Sequence, residues 1–148
     1  NNYEKETAWS IGTMGQTGLT DKWDLMTTVV YYDRMNTVNG IGKEYDFNYY
    51  NFALRPIYKI NENFELQFEA GYARYDDGNT DNKGGISKLT FAPTFKLNTN
   101  DFWGRPEIRT FVTYAKWDDD YQKDMAENLS DYNNQEGWNF GIQAEIWF

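Results

Sequence analysis

The chain lacks histidine and cysteine altogether among its 148 residues. Without histidine it has no access to the commonest general base, the commonest metal ligand or the usual orienting residue of a catalytic triad. Without cysteine it has no disulfide framework, and cysteine usage gives no direct indication of the redox compartment. We therefore expect no metal site, no cofactor and no histidine-dependent hydrolase.

Basic charge and long apolar runs are also missing. The formal net charge is −9 and the mean hydropathy is −0.84. This acidic balance argues against a nucleic-acid partner, because binding phosphates requires a basic surface. No run of about 18 apolar residues is present, which excludes a transmembrane helix. Residue 1 is Asn and no signal-like stretch follows it, so the chain is expected to be processed or cut.

Aromatic residues, in contrast, are abundant. They make up 19% of the chain, beside only three prolines. This is more than the core of so small a domain normally houses, so many rings should face something other than a core. A β-barrel in lipid carries aromatic belts on its outside and keeps its lumen polar, so that only alternate residues meet lipid. Low hydropathy is therefore compatible with a membrane barrel.

Alternation with a period of two recurs along the chain, and helical periodicity is absent. In the last strand, the apolar side chains of Trp138 through Phe148 share one face, whereas the other face is polar except for Trp147. The predicted strands exceed the usual five or six residues and suffice for a tilted membrane strand of about 9–11 residues. The fold class is thus predicted as all-β, an antiparallel up-and-down transmembrane β-barrel. Its seven strands are expected near 5–17, 22–35, 46–60, 64–76, 85–98, 106–118 and 137–148.

The connections between these strands support a lipid-facing surface. Outer-membrane barrels alternate short periplasmic turns with long outer loops, and only the connection at 99–105 departs from this rule. A soluble sandwich or lipocalin-like barrel would show the same residue alternation with its faces swapped, so this alternative stays open. The predicted connections are 18–21, 36–45, 61–63, 77–84, 99–105 and 119–136.

An odd number of strands does not suit a complete barrel. Complete single-chain bacterial barrels have an even strand number, and two open edges are not tolerated in lipid. Residues 1–148 are therefore predicted to be one incomplete domain, the C-terminal segment of a larger barrel. Whether it is a fragment, a truncated product or an isolated segment stays open.

Three stretches of the chain carry distinctive motifs, at residues 49–59, 103–118 and 138–147. The first has an aromatic followed by Arg-Pro-x-Tyr-Lys, the second reads Trp-x-Arg-Pro-x-Ile-Arg-x-Phe-x-Thr-Tyr, and the third reads Trp-x-Phe-Gly-x-Gln-x-Glu-x-Trp. In this order and spacing, the three stretches resemble the sugar-specific porins of the maltoporin family. They cover much of the last 100 residues or so, whereas the first 45 resemble the family only in being strands.

The resemblance implies a trimeric barrel of about 18 strands in the bacterial outer membrane. Such a barrel passes maltose and malto-oligosaccharides by facilitated diffusion, contacts outer-membrane lipids, and can serve phages as a receptor through its outer loops. In the family, sugar rings slide along a lumenal aromatic rail. Two rail positions map onto Trp147 and Tyr49, the latter replacing the usual Trp. Residue parity also puts both on the polar face, where a ring could stack on a sugar or pack against lumenal neighbours.

Six charged residues on the same predicted face could donate to or accept from sugar hydroxyls, or form cross-strand ion pairs. Their carboxylates formally allow a glycosidase, but a carboxylate-lined channel predicts the same residues, and we expect no enzyme. A general, non-selective porin is the other alternative. The six residues are Arg55, Arg109, Glu65, Glu69, Glu107 and Glu145.

Two further patterns are given structural interpretations. The acidic stretch 76–82 has oxygen ligands at alternate positions but lacks the glycine and glutamate of an EF-hand, so it is interpreted as a solvated outer loop. Aromatic residues at strand ends are interpreted as interfacial anchors in the membrane. These anchors are Trp23, Tyr58, Tyr72, Phe102, Tyr114, Trp138 and Phe148.

Overall fold

Seven antiparallel strands make up the ordered framework in a computed structural model that describes residues 6–38, 41–80, 82–118 and 135–146. Within these ranges, no helix has the length and apolar character needed to cross a membrane. All seven predicted strands are confirmed, with shifted ends. They are β1 (Thr7–Gly18), β2 (Trp23–Val38), β3 (Glu44–Lys59), β4 (Phe64–Asp77), β5 (Asn82–Lys96), β6 (Glu107–Trp117) and β7 (Glu136–Glu145).

The strands form one sheet whose spatial order is the order of the sequence. Each strand pairs antiparallel with the next, from β1 through β7. Over the described ranges β1 and β7 do not pair with each other, so the sheet is unclosed. The all-β, up-and-down class is confirmed, and the open sheet is consistent with part of a larger barrel.

The connections differ from those predicted. Two of the predicted loops, 36–45 and 77–84, are partly taken up by strands, because β2 and β4 end later and β3 and β5 begin earlier than expected. Lys83 and Gly84, for example, pair with Asp76 and Tyr75 on β4. Residues 97–106 form a longer connection, although they lie at the end of the sheet where the other turns are short. The expected alternation of short turns and long loops is therefore only partly present.

One face of the sheet, called the outer face, exposes large apolar side chains. On β7, Trp138, Phe140 and Ile142 are 69%, 80% and 76% exposed. Tilted ring pairs link neighbouring strands, with Trp23 and Tyr58 having centroids 4.9 Å apart. A soluble sandwich would bury such a face under a second sheet, and the described residues supply none. This face has the character of a lipid-facing surface.

The opposite face, called the inner face, is polar and is buried mainly toward one end. That end carries the turns 19–22 and 60–63 and the connection 97–106. In the described part of the chain, only Ile57 and Ala92 are buried apolar residues, so most of the buried side chains are polar. The buried polar residues of the inner face at this end are Asp24, Glu65, Gln67, Thr94, Lys96 and Glu107.

Candidate lumenal binding face

Strand register brings all six predicted charged residues onto the inner face. Because side chains alternate along a strand, residues paired across the sheet share a face. Glu107 lies opposite both Lys96 and Glu145, and Glu65 lies opposite Lys59 and Thr94. The strand register therefore agrees with the prediction from parity that these residues share one face of the sheet. Whether these residues touch a solute is a separate question of contacts and exposure.

Arg55 on β3 and Glu69 on β4 form a cross-strand ion pair. The Arg55 Nε donates to Glu69 Oε2 at 2.8 Å, and Nη2 donates to the same oxygen at 2.5 Å. Both side chains are 31% exposed, so the pair still presents polar surface to the space beside the inner face. This geometry is compatible with both predicted roles, cross-strand ion pairing and contact with sugar hydroxyls. The ion pair balances the two charges, and its exposed part is still open to hydrogen bonds with a solute.

A denser group of charges, called the Glu107 cluster, lies at the buried end of the inner face. Its members are Lys96, Arg105, Glu107, Arg109 and Glu145. Glu145 pairs with Arg105 at 2.6 Å and with Arg109 at 2.7 Å. Glu107 lies 3.2 Å from Arg105, 3.4 Å from Arg109 and 3.9 Å from Lys96. Three cations thus surround two carboxylates.

Glu65 and Glu107 are too deeply buried in this arrangement to offer much surface to a sugar. Their exposed fractions are 2% and 3%. Glu65 accepts a hydrogen bond from Gln67 Nε2 at 2.9 Å, and Gln67 in turn accepts from Arg109 at 3.4 Å. These contacts favour a supporting role, in which buried carboxylates orient the arginines that reach further into the open.

Tyr49 lies in the middle of a row of three tyrosines that crosses the inner face. Its register partners are Tyr32 on β2 and Tyr75 on β4, and we call these three residues the tyrosine row. Asn51 donates from Nδ2 to the Tyr49 hydroxyl at 3.1 Å. Tyr49 and Tyr75 line an open cleft of about 640 Å³ together with Phe47, Asn51 and Lys88, among other residues.

The remaining predicted rail residue, Trp147, lies outside the described residues, as does the predicted anchor Phe148. Tyr32, Tyr75 and Phe47 were not predicted from the sequence as partners of Tyr49. The signal was available, because all three have the parity of the polar face. Only the register shows that Tyr32 and Tyr75 stand directly opposite Tyr49.

The interpretation of Phe102 as an interfacial anchor is wrong. Its carbonyl accepts a hydrogen bond from Lys96 Nζ at 2.8 Å, and the same Nζ lies 5.7 Å from the centre of its ring. Phe102, Trp103 and Arg105 line a cleft together with inner-face residues of six strands, β2 to β7. The connection 97–106 therefore folds over the inner face, which its irregular sequence could not indicate.

Within the acidic stretch 76–82, Asp77 makes local hydrogen bonds to the residues that follow it. Asp77 accepts hydrogen bonds from the Asn79 backbone at 2.9 Å and from the Thr80 hydroxyl at 3.0 Å. Over the ranges that the structure describes, no group of three or more acidic side chains could hold a metal ion. The inner face thus offers stacking surfaces and paired charges, which suit the reversible binding of a neutral polar solute.

Comparison with known protein families gives one match. A family model described as LamB porin matches residues 1–148. The match therefore extends beyond the three stretches and includes the first 45 residues, where the sequence alone showed only strands. It agrees with a sheet that is apolar on its outer face and polar on its inner face.

Proposed function

The chain belongs to the LamB porin family of bacterial outer-membrane transport channels, which is not an enzyme family, and we propose that it serves the facilitated diffusion of maltose and maltodextrin-type oligosaccharides. In this proposal the seven strands are the C-terminal part of a larger, trimeric barrel. The inner face lines the lumen and the outer face meets lipid or neighbouring protomers.

The tyrosine row is the observation that carries the proposal. Glucose rings have apolar faces formed by C–H groups, and such faces stack on aromatic rings while their hydroxyls seek polar partners. The cleft beside Tyr49 and Tyr75 offers rings together with Asn51 and Lys88. A polar lumen without a solute to stack on would gain little from exposing several aromatic rings. Tyr49, and by the family resemblance Trp147, are the proposed rail residues.

The charged residues complete the proposed track. Sugar hydroxyls both donate and accept hydrogen bonds, and the Arg55–Glu69 pair offers both kinds of group without a net charge. Arg109 and Glu145 offer the same combination nearer the buried end, while Glu65 and Glu107 support them from beneath. Binding should be weak, because a permeating solute must leave as readily as it binds.

Block of ion current by sugar tests this function. Full-length protein is inserted into a planar bilayer, and maltohexaose is added while the conductance in KCl is recorded. We expect a concentration-dependent block, with Tyr49→Ala weakening it. The matched control is Tyr50→Ala, because Tyr50 is the next residue along β3 but faces Tyr72 on the outer face. Conductance that is insensitive to maltohexaose would support a general porin instead.

The trimer and a phage-receptor role for the outer loops are proposed from the family alone. Crosslinking of the detergent-extracted protein, followed by mass measurement, tests the trimer. Phage adsorption to cells that carry variants in residues 119–134 tests the receptor role.

A further inference from the structure

The connection 97–106 is held against the inner face at both of its ends. Near its start, the Thr99 backbone donates to Glu62 O at 2.8 Å and its hydroxyl donates to Asn61 O at 2.7 Å. Thr99 is 2% exposed. Near its end, Arg105 donates to Glu145 at 2.6 and 2.9 Å. The segment is therefore fixed to the β3–β4 turn on one side and to β7 on the other.

The middle of the segment faces the space above the inner face. Phe102 and Trp103 line a cleft of about 220 Å³ whose floor includes Ile57, Gln67 and Arg109. Trp103 is 56% exposed, and its ring meets the Phe102 ring edge-on with centroids 4.9 Å apart, so these two rings lie outside any buried core. The short turns 19–22 and 60–63 lie at this end of the sheet, and short turns mark the periplasmic end of an outer-membrane barrel. In a barrel whose inner face lines the lumen, this position therefore narrows the channel at its periplasmic end.

The Glu107 cluster fixes this position. Lys96, the last residue of β5, and Arg105, within the segment, both donate to Phe102 O, at 2.8 and 3.5 Å. Glu107 lies between them, with its Oε2 within 3.9 Å of Lys96 and 3.2 Å of Arg105. Removing one member of a buried charge network leaves its partners without a compensating charge, which is destabilising. Removing Arg105 would therefore release the segment from β7 and from Glu107 together.

We propose that residues 97–106 form a threshold across the periplasmic exit of the channel, and that Arg105 is the positioning residue that holds it. The threshold sets the width of the exit for every solute, including small ions. The inference relies on the proposed channel function, but it concerns ion conductance and does not depend on which sugar permeates.

Single-channel conductance of the full-length protein in KCl, without sugar, tests the role of Arg105. We expect Arg105→Met to raise the conductance, because the threshold can move aside, and Arg105→Lys to restore part of the wild-type value. The control is Arg34→Met, which also removes one inner-face cation, paired with Glu6 near the start of β1. It should leave the conductance close to wild type. Equal conductance in Arg105→Met and Arg34→Met would overturn the proposal.

A second measurement tests the position of the segment in a protein that retains Arg105. Residues 1–148 contain no cysteine, so Trp103→Cys places one reactive thiol on the threshold. A bulky methanethiosulfonate reagent added from the periplasmic side should then reduce the conductance in steps. In the Trp103→Cys, Arg105→Met double variant this reduction should be lost or much smaller. Unchanged conductance after complete labelling of Trp103→Cys would show that the segment lies outside the exit path.

The two experiments separate this inference from the function itself. If maltohexaose blocks the channel but the thiol reagent has no effect on its conductance, the sugar-porin function is supported and the threshold is contradicted. If the reagent lowers the conductance but no sugar blocks the channel, the threshold is supported and the sugar specificity is contradicted.

Discussion

Arg105 and Glu145 lie 40 residues apart in the chain and are joined by two hydrogen bonds of 2.6 and 2.9 Å. The same carboxylate accepts from Arg109 at 2.7 Å. One acidic side chain at the end of β7 therefore balances two guanidinium groups, one from the connection 97–106 and one from β6. This arrangement makes Glu145 more important for stability than its partly exposed position suggests.

We predict that Glu145→Gln lowers the free energy of unfolding by about 1–3 kcal/mol, because both arginines lose a charge-assisted partner in a partly closed site. Denaturant unfolding followed by tryptophan fluorescence measures the change. Glu44→Gln is the control, since Glu44 is an exposed residue at the start of β3. Equal stability of the two variants would mean that the arginines find other partners.

The Arg55–Glu69 pair gives a prediction about ion selectivity. Arg55→Met leaves the Glu69 carboxylate without its 2.8 Å partner on the lumenal face, so the channel should become more selective for cations. Glu69→Gln should shift the selectivity toward anions, and the double variant should return close to wild type. Reversal potentials in a KCl gradient measure these shifts. Identical potentials in all four proteins would place the pair away from the ion path.

Affinity for the sugar should depend on the ring of Tyr49 more than on its hydroxyl. Tyr49→Phe keeps the stacking surface, whereas Tyr49→Ala removes it, at a cost of about 0.5–1.5 kcal/mol. That corresponds to a two- to roughly twelvefold weaker block by maltohexaose. Titration of the ion current gives both constants. If Tyr49→Phe weakened binding as much as Tyr49→Ala, the hydrogen bond with Asn51 would be the important feature instead.

Neighbouring residues on β7 test the assignment of the two faces. Ile142 is 76% exposed on the outer face, whereas Gln143 contacts Arg109 on the inner face. Arginine at a lipid-facing position costs about 2–4 kcal/mol near the middle of the bilayer. We therefore expect Ile142→Arg to destabilise the folded protein in lipid vesicles more than Gln143→Arg does. The reverse order, measured by denaturant unfolding, would contradict the assignment.

Gly141 allows a ring to lie directly over the backbone of β7. A Cβ at this position would lie 2.9 Å from Cζ of Phe111, closer than packed atoms normally approach. Gly141→Ala should therefore displace the ring and destabilise the protein by about 1 kcal/mol or more. Gly12→Ala is the control, because its Cβ would meet nothing closer than 3.9 Å. Unfolding midpoints of the two variants measure the difference.

Much of the fold could be predicted because period-two alternation is a local property. The parity of Trp138, Phe140 and Ile142 is enough by itself to separate the apolar face of β7 from its polar face. Strand ends were less predictable, because Lys83 and Gly84 look like loop residues and enter the sheet only through pairing with β4. Local propensity cannot represent that pairing, which is formed across the sheet.

The candidate site could also be predicted only in part from the sequence. Parity placed Tyr49, Arg55 and Glu69 on one face, and the register agreed. It could not show that Tyr32 and Tyr75 stand opposite Tyr49, because one residue of slip changes every cross-strand neighbour. Phe102 was misassigned for a related reason: a connection has no alternation from which to infer a direction.

The sequence by itself determined the strand number, the two chemical faces and the family resemblance, since each is written in local order and spacing. Only the tertiary structure decided which lumenal charges pair, how deeply Glu65 and Glu107 are buried, and that residues 97–106 fold inward. Those features depend on contacts between residues distant in the chain. They form because buried charges must find partners wherever the folded backbone brings them.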